Sequence, residues 1–218
     1  ILTQGYTGST LGSAPLDSLQ PNILTYLENH GGTDLQRYRT PTSSGQSLTE
    51  GQGVWAFIFG DIAADSRYND PIPDTLDVNG QEFNGDGTEV DFGVTYTASA
   101  DSGWNLIGNP FGAAIDWDDN TNWTKTNIES TIYIWDPSSN GGNGEFLTWN
   151  GTTGTLNNGL IAPFQGFWVK ANDTSPSLKV KLGGKTSGAN FLRKDNSTIN
   201  PVIELEARSG DLSKRTLI

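Results

Sequence analysis

A seven-residue string occurs twice in this chain, and that repetition constrains the fold more than any single motif. Gly51-Gln52-Gly53-Val54-Trp55-Ala56-Phe57 returns as Phe164-Gln165-Gly166-Phe167-Trp168-Val169-Lys170, with Trp168 lying 113 positions (168 − 55) after Trp55. The similarity extends upstream in the same order. Asn22-Ile23-Leu24-Thr25-Tyr26 aligns with Thr131-Ile132-Tyr133-Ile134-Trp135, and Gln36-Arg37-Tyr38 with Leu147-Thr148-Trp149. Each copy reads as strand, turn, aromatic strand, glycine-rich turn, then a strand led by Gln-Gly-aromatic. A tryptophan that recurs at an equivalent place belongs to the scaffold, so Trp55 and Trp168 are expected in the core. Trp104 is expected there too.

Strand signals fill most of the remaining sequence. Val90, Phe92, Val94 and Tyr96 alternate with Glu89, Asp91, Gly93 and Thr95, the period of a half-buried strand. Leu178, Val180 and Leu182 alternate with Lys179 and Lys181, and Ile203, Leu205 and Ala207 with Glu204, Glu206 and Arg208. Residues 54–59 and 132–135 are apolar on both faces, as in strands covered on both sides. Asn84-Gly85-Asp86-Gly87, between residues 76–78 and the strand at 88–96, predicts a hairpin. Helical periodicity is confined to residues 16–28, where Pro21 interrupts it. With 27 Gly and 10 Pro among 218 residues, the chain is cut into short strands and turns.

The expected fold class is therefore all-β: two tandem related β-sandwich-like modules with little helix. Residues 1–65 form the first module and 66–100 a connecting hairpin. Residues 101–185 form the second module, and 186–218 a linker with the start of a downstream β domain. Aligning the copies through Tyr26 and Trp135 puts the counterpart of residues 104–111 upstream of Ile1. The first module is thus expected to be N-terminally incomplete, with an open edge that upstream sequence or another chain fills.

Composition narrows the chemistry. The formal charge of −12 repels phosphate backbones, which argues against nucleic acid as a partner. With no Cys, the chain has no disulfides, thiolate nucleophile or Cys-ligated zinc. No apolar run reaches the roughly 20 residues of a membrane-spanning helix. The one histidine, His30, lies in the turn Glu28-Asn29-His30-Gly31-Gly32, without a nucleophile-elbow sequence anywhere. No catalytic residues are assigned, and the chain is read as non-enzymatic.

Two groups of residues remain as binding candidates. Asp116, Asp118 and Asn120 alternate in Asp116-Trp117-Asp118-Asp119-Asn120-Thr121-Asn122, the spacing by which a loop offers oxygen ligands to Ca²⁺. The EF-hand pattern fails, since Thr121 stands where glycine is needed, and an Asx-rich turn satisfying its own backbone is the alternative. Trp117, Trp123 and Trp149 sit among polar loop residues and are expected to be accessible, the arrangement of a glycan-binding face.

The sequence also resembles a known family. Gly103-Trp104-Asn105-Leu106-Ile107-Gly108-Asn109-Pro110-Phe111, Ile115-Asp116-Trp117-Asp118, Ile132-Tyr133-Ile134-Trp135-Asp136 and Ala162-Pro163-Phe164-Gln165-Gly166-Phe167-Trp168-Val169 carry the resemblance. In that order they are similar to the repeat modules of very large secreted surface proteins of Bacteroidetes-type bacteria, cargo of type IX secretion. The match covers residues 103–172 well and 20–60 more loosely. The resemblance implies an extracellular or cell-surface location and a non-catalytic structural or adhesive role. The alternative it leaves is a carbohydrate-binding accessory domain of a secreted polysaccharide-degrading enzyme. The partners it implies are neighbouring domains of the same long chain, extracellular polysaccharide or another surface chain. It also implies O-glycosylation at Ser18 and Thr75, within Asp17-Ser18-Leu19 and Asp74-Thr75-Leu76.

Overall fold

Alternation of apolar and polar residues decides where strands form, and the computed structural model follows it closely. It describes residues 23–41, 46–56, 89–98, 102–156, 158–192, 204–209 and 212–217. Ser18, Thr75 and most of the 66–100 hairpin lie outside the described residues. The first copy supplies β1 (Ile23–Tyr26), α1 (Asp34–Arg37), β2 (Tyr38–Arg39) and β3 (Trp55–Ala56). Next come β4 (Glu89–Asp91), β5 (Trp104–Gly108), β6 (Ala114–Asp116) and β7 (Trp123–Thr126). The second copy supplies β8 (Ile132–Asp136), α2 (Ser139–Gly142), β9 (Glu145–Trp149), β10 (Leu160–Ile161) and β11 (Gly166–Lys170). β12 (Ser177–Lys181), β13 (Lys185–Thr186), β14 (Glu204–Ser209) and β15 (Leu212–Leu217) follow.

The fold is all-β, built of antiparallel sheets with two one-turn helices among the described residues. The helical signal at 16–28 fails where it can be checked. Ile23–Tyr26 is a strand whose Ile23 and Thr25 are buried on one face, since β-branched side chains fit a pleat better than a helix interior.

A four-stranded sheet, β5-β11-β8-β9, lies at the centre. One face, through Ile107, Ile132, Ile134, Phe167 and Val169, packs on Val90, Leu178 and Val180 of the sheet β4-β12-β7. Trp117 and Trp123 close this core: Trp123 stacks on Phe92 at 5.7 Å, and both Phe92 and Trp117 meet Phe167 edge-on at 6.4 Å. The small sheet β10-β6-β13 adds Ile115 and Ile161. Phe92 and Val94 continue the alternation of β4 as buried residues, as their spacing predicts. β14 and β15 pair from Glu204↔Leu217 to Ser209↔Leu212.

The other face of the central sheet carries Trp104, Tyr133, Trp135 and Trp168, and the first copy covers it. Tyr26 meets Trp168 at 4.8 Å, Trp104 meets Tyr133 at 5.0 Å, and Trp55 meets Trp135 at 5.7 Å, all edge-to-face. β8 is therefore apolar on both sides because both sides are packed.

Pairing is equivalent in the two copies. The strand orders β2-β1-β3 and β9-β8-β11 correspond, and Leu24↔Trp55 matches Tyr133↔Trp168. The edge strand departs from the sequence alignment. Tyr38 stands opposite Tyr26 as Phe146 stands opposite Trp135, so Tyr38 corresponds to Phe146 and not to Trp149.

β5 lies between the copies. Along one edge it pairs with β11 from Lys170↔Trp104 to Gly166↔Gly108. Along the other it bonds the Gly51–Gly53 turn, with Gly53 N–H donating to Leu106 O (3.3 Å) and Gly108 N–H to Gly51 O (2.9 Å). β5 thus meets the first copy at its Gln-Gly end, through the Gln52↔Ile107 bridge. Gly53 is required by proximity: a Cβ there would sit 2.5 Å from Ile107 O.

Candidate functional site

The acidic loop after β6 is closed on itself. Asp116 accepts the N–H of Asp118 at 2.9 Å, an Asx turn that reverses the chain out of β6. Asp119 accepts the Thr121 N–H (3.1 Å) and the Asn122 side-chain amide (2.7 Å). The amide bond chiefly holds the Asp119 carboxyl below its ordinary range, against a smaller opposing effect of burial. Asp118 accepts the Trp149 indole N–H on both carboxylate oxygens, at 2.9 and 3.1 Å.

A cation already stands in this loop. The Lys125 ammonium, from β7, donates to Trp117 O and to Asn120 Oδ1, and lies 4.0 Å over the Trp117 ring. Burial lowers its pKa, while Asp118, Asp116 and Asp119 pull the other way. Asp116, Asp118 and Asn120 therefore have protein partners, and no three His, Asp or Glu side chains converge as metal ligands among the described residues.

The accessible tryptophans are not those expected. Trp117 is 1% and Trp123 6% exposed, both in the core. Their indole N–H groups point inward, to Ser130 O (2.7 Å) and Asp116 O (2.8 Å). The expectation that they offer open faces to a glycan is corrected. Polar neighbours in sequence misled, because Ile115 and Trp117 continue the alternation of β6 and Trp123 begins β7. Trp149 is half-buried, its indole N–H spent on Asp118 and its edge against Gly159. Trp168 is buried as expected, at 7%. Trp55, assigned to the core with it, is only half-buried.

Three partly open aromatics, Trp55, Trp135 and Phe146, meet where the copies join. Trp135 touches Phe146 at 5.0 Å and Trp55 at 5.7 Å, while Trp55 and Phe146 lie 6.3 Å apart. Phe146 is 43% exposed. A sequence signal for this cluster exists in hindsight: Trp135 and Phe146 are outward positions flanking the turn of a hairpin, and Trp55 belongs to the repeated string.

Glu28 joins the copies from within. Only 2% exposed, it accepts the Gly103 N–H (2.9 Å), the Thr97 N–H (2.8 Å) and the Thr97 hydroxyl (3.1 Å). Burial raises its pKa, but those bonds outweigh it and hold the carboxyl below its usual value. His30, near it in sequence, has Nδ1 on Gly31 O at 2.7 Å and Nε2 against the Arg39 guanidinium.

Comparison with known proteins adds no name to this geometry: no protein-family model, no curated protein and no solved structure matches the chain.

Proposed function

We propose that this chain is a non-catalytic structural and adhesive β module of a large secreted surface protein, working outside the cell, as its resemblance to Bacteroidetes-type repeat modules implies. One observation supports the reading above others: the two copies are interlocked. β5 is hydrogen-bonded on one edge to Gly51–Gly53 and on the other to β11, and Tyr26 and Trp55 lie on Trp168 and Trp135. Glu28, a buried carboxylate, is likewise engaged across the copies through the Gly103 N–H, which suits a load-carrying spacer.

The test is calorimetric unfolding of the whole chain with intrinsic fluorescence alongside. Coupled copies melt in one transition, with both probes coincident. Trp168→Ala, which empties a buried site, is expected to cost about 3–5 kcal/mol and to lower that transition as a unit. Two separate transitions in the unmodified protein would sink the reading. The carbohydrate-binding alternative is favoured by one feature, the open aromatic cluster of Trp55, Trp135 and Phe146.

A further inference from the structure

The aromatic contacts between the copies are reciprocal, and one ring in the set lacks its counterpart. By strand pairing, Tyr26 corresponds to Trp135, Tyr38 to Phe146 and Trp55 to Trp168. Tyr26 meets Tyr38 at 5.1 Å, as Trp135 meets Phe146 at 5.0 Å. Across the copies, Tyr26 and Tyr38 reach Trp168 at 4.8 and 6.4 Å. Trp135 and Phe146 reach Trp55 at 5.7 and 6.3 Å. Exchanging the copies reproduces the set, as in an isologous contact. Trp168 has one neighbour more: Trp104 of β5 meets it at 6.4 Å. Among the described residues, no ring holds that place beside Trp55. Trp168 is accordingly buried and Trp55 half-buried. The sheets differ in the same way. The order β9-β8-β11 continues to β5, which pairs with β11 from Gly166 to Lys170, whereas β2-β1-β3 ends at β3 among the described residues.

We propose that a strand of the β5 kind docks beside β3, antiparallel to it, with an aromatic residue covering Trp55. The partner this fits is an extended segment of the pattern Trp-Asn-Leu-Ile-Gly, as in residues 104–108. Backbone pairing along a strand edge supplies affinity in such additions, and the side chains supply specificity. The occupant is specified by the second copy, where β5 fills the corresponding place on β11 and brings Trp104 to Trp168. β5 itself is committed there, and its contact with the first copy lies at Gly51–Gly53. The docked strand is therefore a second one of the same kind. This inference goes beyond the load-carrying role and stands on the ring and strand geometry, not on where the parent protein works.

Isothermal titration of the full chain with a synthetic peptide of residues 103–111 tests it. Saturable binding is expected below about 1 mM peptide. It should weaken at least about tenfold with Trp104→Ala in the peptide and with Trp55→Ala in the protein. N-methylation of the peptide at Ile107 should weaken it as much. Ile107 shares with Asn109 the edge that β5 turns to β11, where the Asn109 N–H donates to Gln165 O. The peptide variants leave the protein untouched, so they decide the matter even where Trp55→Ala lowers the melting temperature. No binding up to that concentration, or binding indifferent to either peptide change, overturns the proposal. So does binding indifferent to Trp55→Ala, because the peptide then competes for the place of β5 on β11. Dimerisation of the chain in sedimentation that Trp55→Ala abolishes overturns it too, since the place then belongs to a second copy of the folded chain. Each of these outcomes leaves the calorimetric test of the structural role standing.

Discussion

At position 164 the chain carries phenylalanine where its own first copy carries glycine. The turns correspond: Gln165 N–H bonds Ala162 O at 3.1 Å, as Gln52 N–H bonds Thr49 O at 2.9 Å. The third residue is left-handed in both, with φ +57° at Phe164 and +72° at Gly51. Glycine adopts that conformation freely, whereas an L side chain there costs about 1–2 kcal/mol. Phe164 is also 38% exposed, so burial returns little. Phe164→Gly is therefore expected to stabilise the protein by about 0.5–1 kcal/mol after glycine's own entropy is counted, about 1–4 °C in melting temperature. A lower melting temperature would show that the ring's packing beside Gly112 outweighs its strain. A second residue-scale prediction concerns Glu28. Its folded pKa is depressed, so its stabilisation is present above its unfolded value and is lost as pH falls through the folded one. Glu28→Gln should cost about 1–3 kcal/mol at neutral pH. It should also flatten the decline of stability below about pH 4.5, in urea melts run across that range. An unchanged acid profile would remove Glu28 from the account.

Among the elements, the seam between Gly51–Gly53 and β5 is the contact least tolerant of change. A Cβ on Gly53 would fall 2.5, 2.7 and 2.8 Å from Ile107 O, C and N, backbone atoms that cannot turn aside. Its counterpart Gly166 has nothing nearer than Val54 O at 3.6 Å. Gly53→Ala should therefore cost about 1–3 kcal/mol and Gly166→Ala much less, read as shifts in urea midpoint. Equal shifts would mean that the close approach is not what holds the seam. The same elements show what the sequence reveals about itself. The pairing of Leu24 with Trp55 and of Tyr133 with Trp168 is visible in the repeat, because both partners keep their aromatic or apolar character. The edge strands slip by three positions: Tyr38 aligns with Trp149 by type but pairs like Phe146 (149 − 146). An edge strand is packed on one side only, so its side chains carry little record of register. The candidate sites were less legible still. Asp116, Asp118 and Asn120 have the spacing of a calcium loop, but the Lys125 that reaches Asn120 Oδ1 comes from the next strand, and spacing alone does not show that contact.

For the whole molecule, the all-β class follows from turns and alternation, whereas the interlocking of the copies does not. Nothing in Trp104-Asn105-Leu106-Ile107-Gly108 announces that it serves two partners, since either edge of a strand is the same backbone. That sharing has a consequence in time. Gln52 bridges Ile107, 55 positions later (107 − 52), and Glu28 waits 75 positions for the Gly103 N–H. At ribosomal rates of about 5–20 residues per second, the first Gln-Gly turn stays unpaired for about 3–11 s after it is made. Closure of such distant contacts belongs with the slower, millisecond-to-second folding of β proteins. A nascent first copy is thus a half-finished surface for several seconds, and the arrival of β5 is the event that completes both copies together.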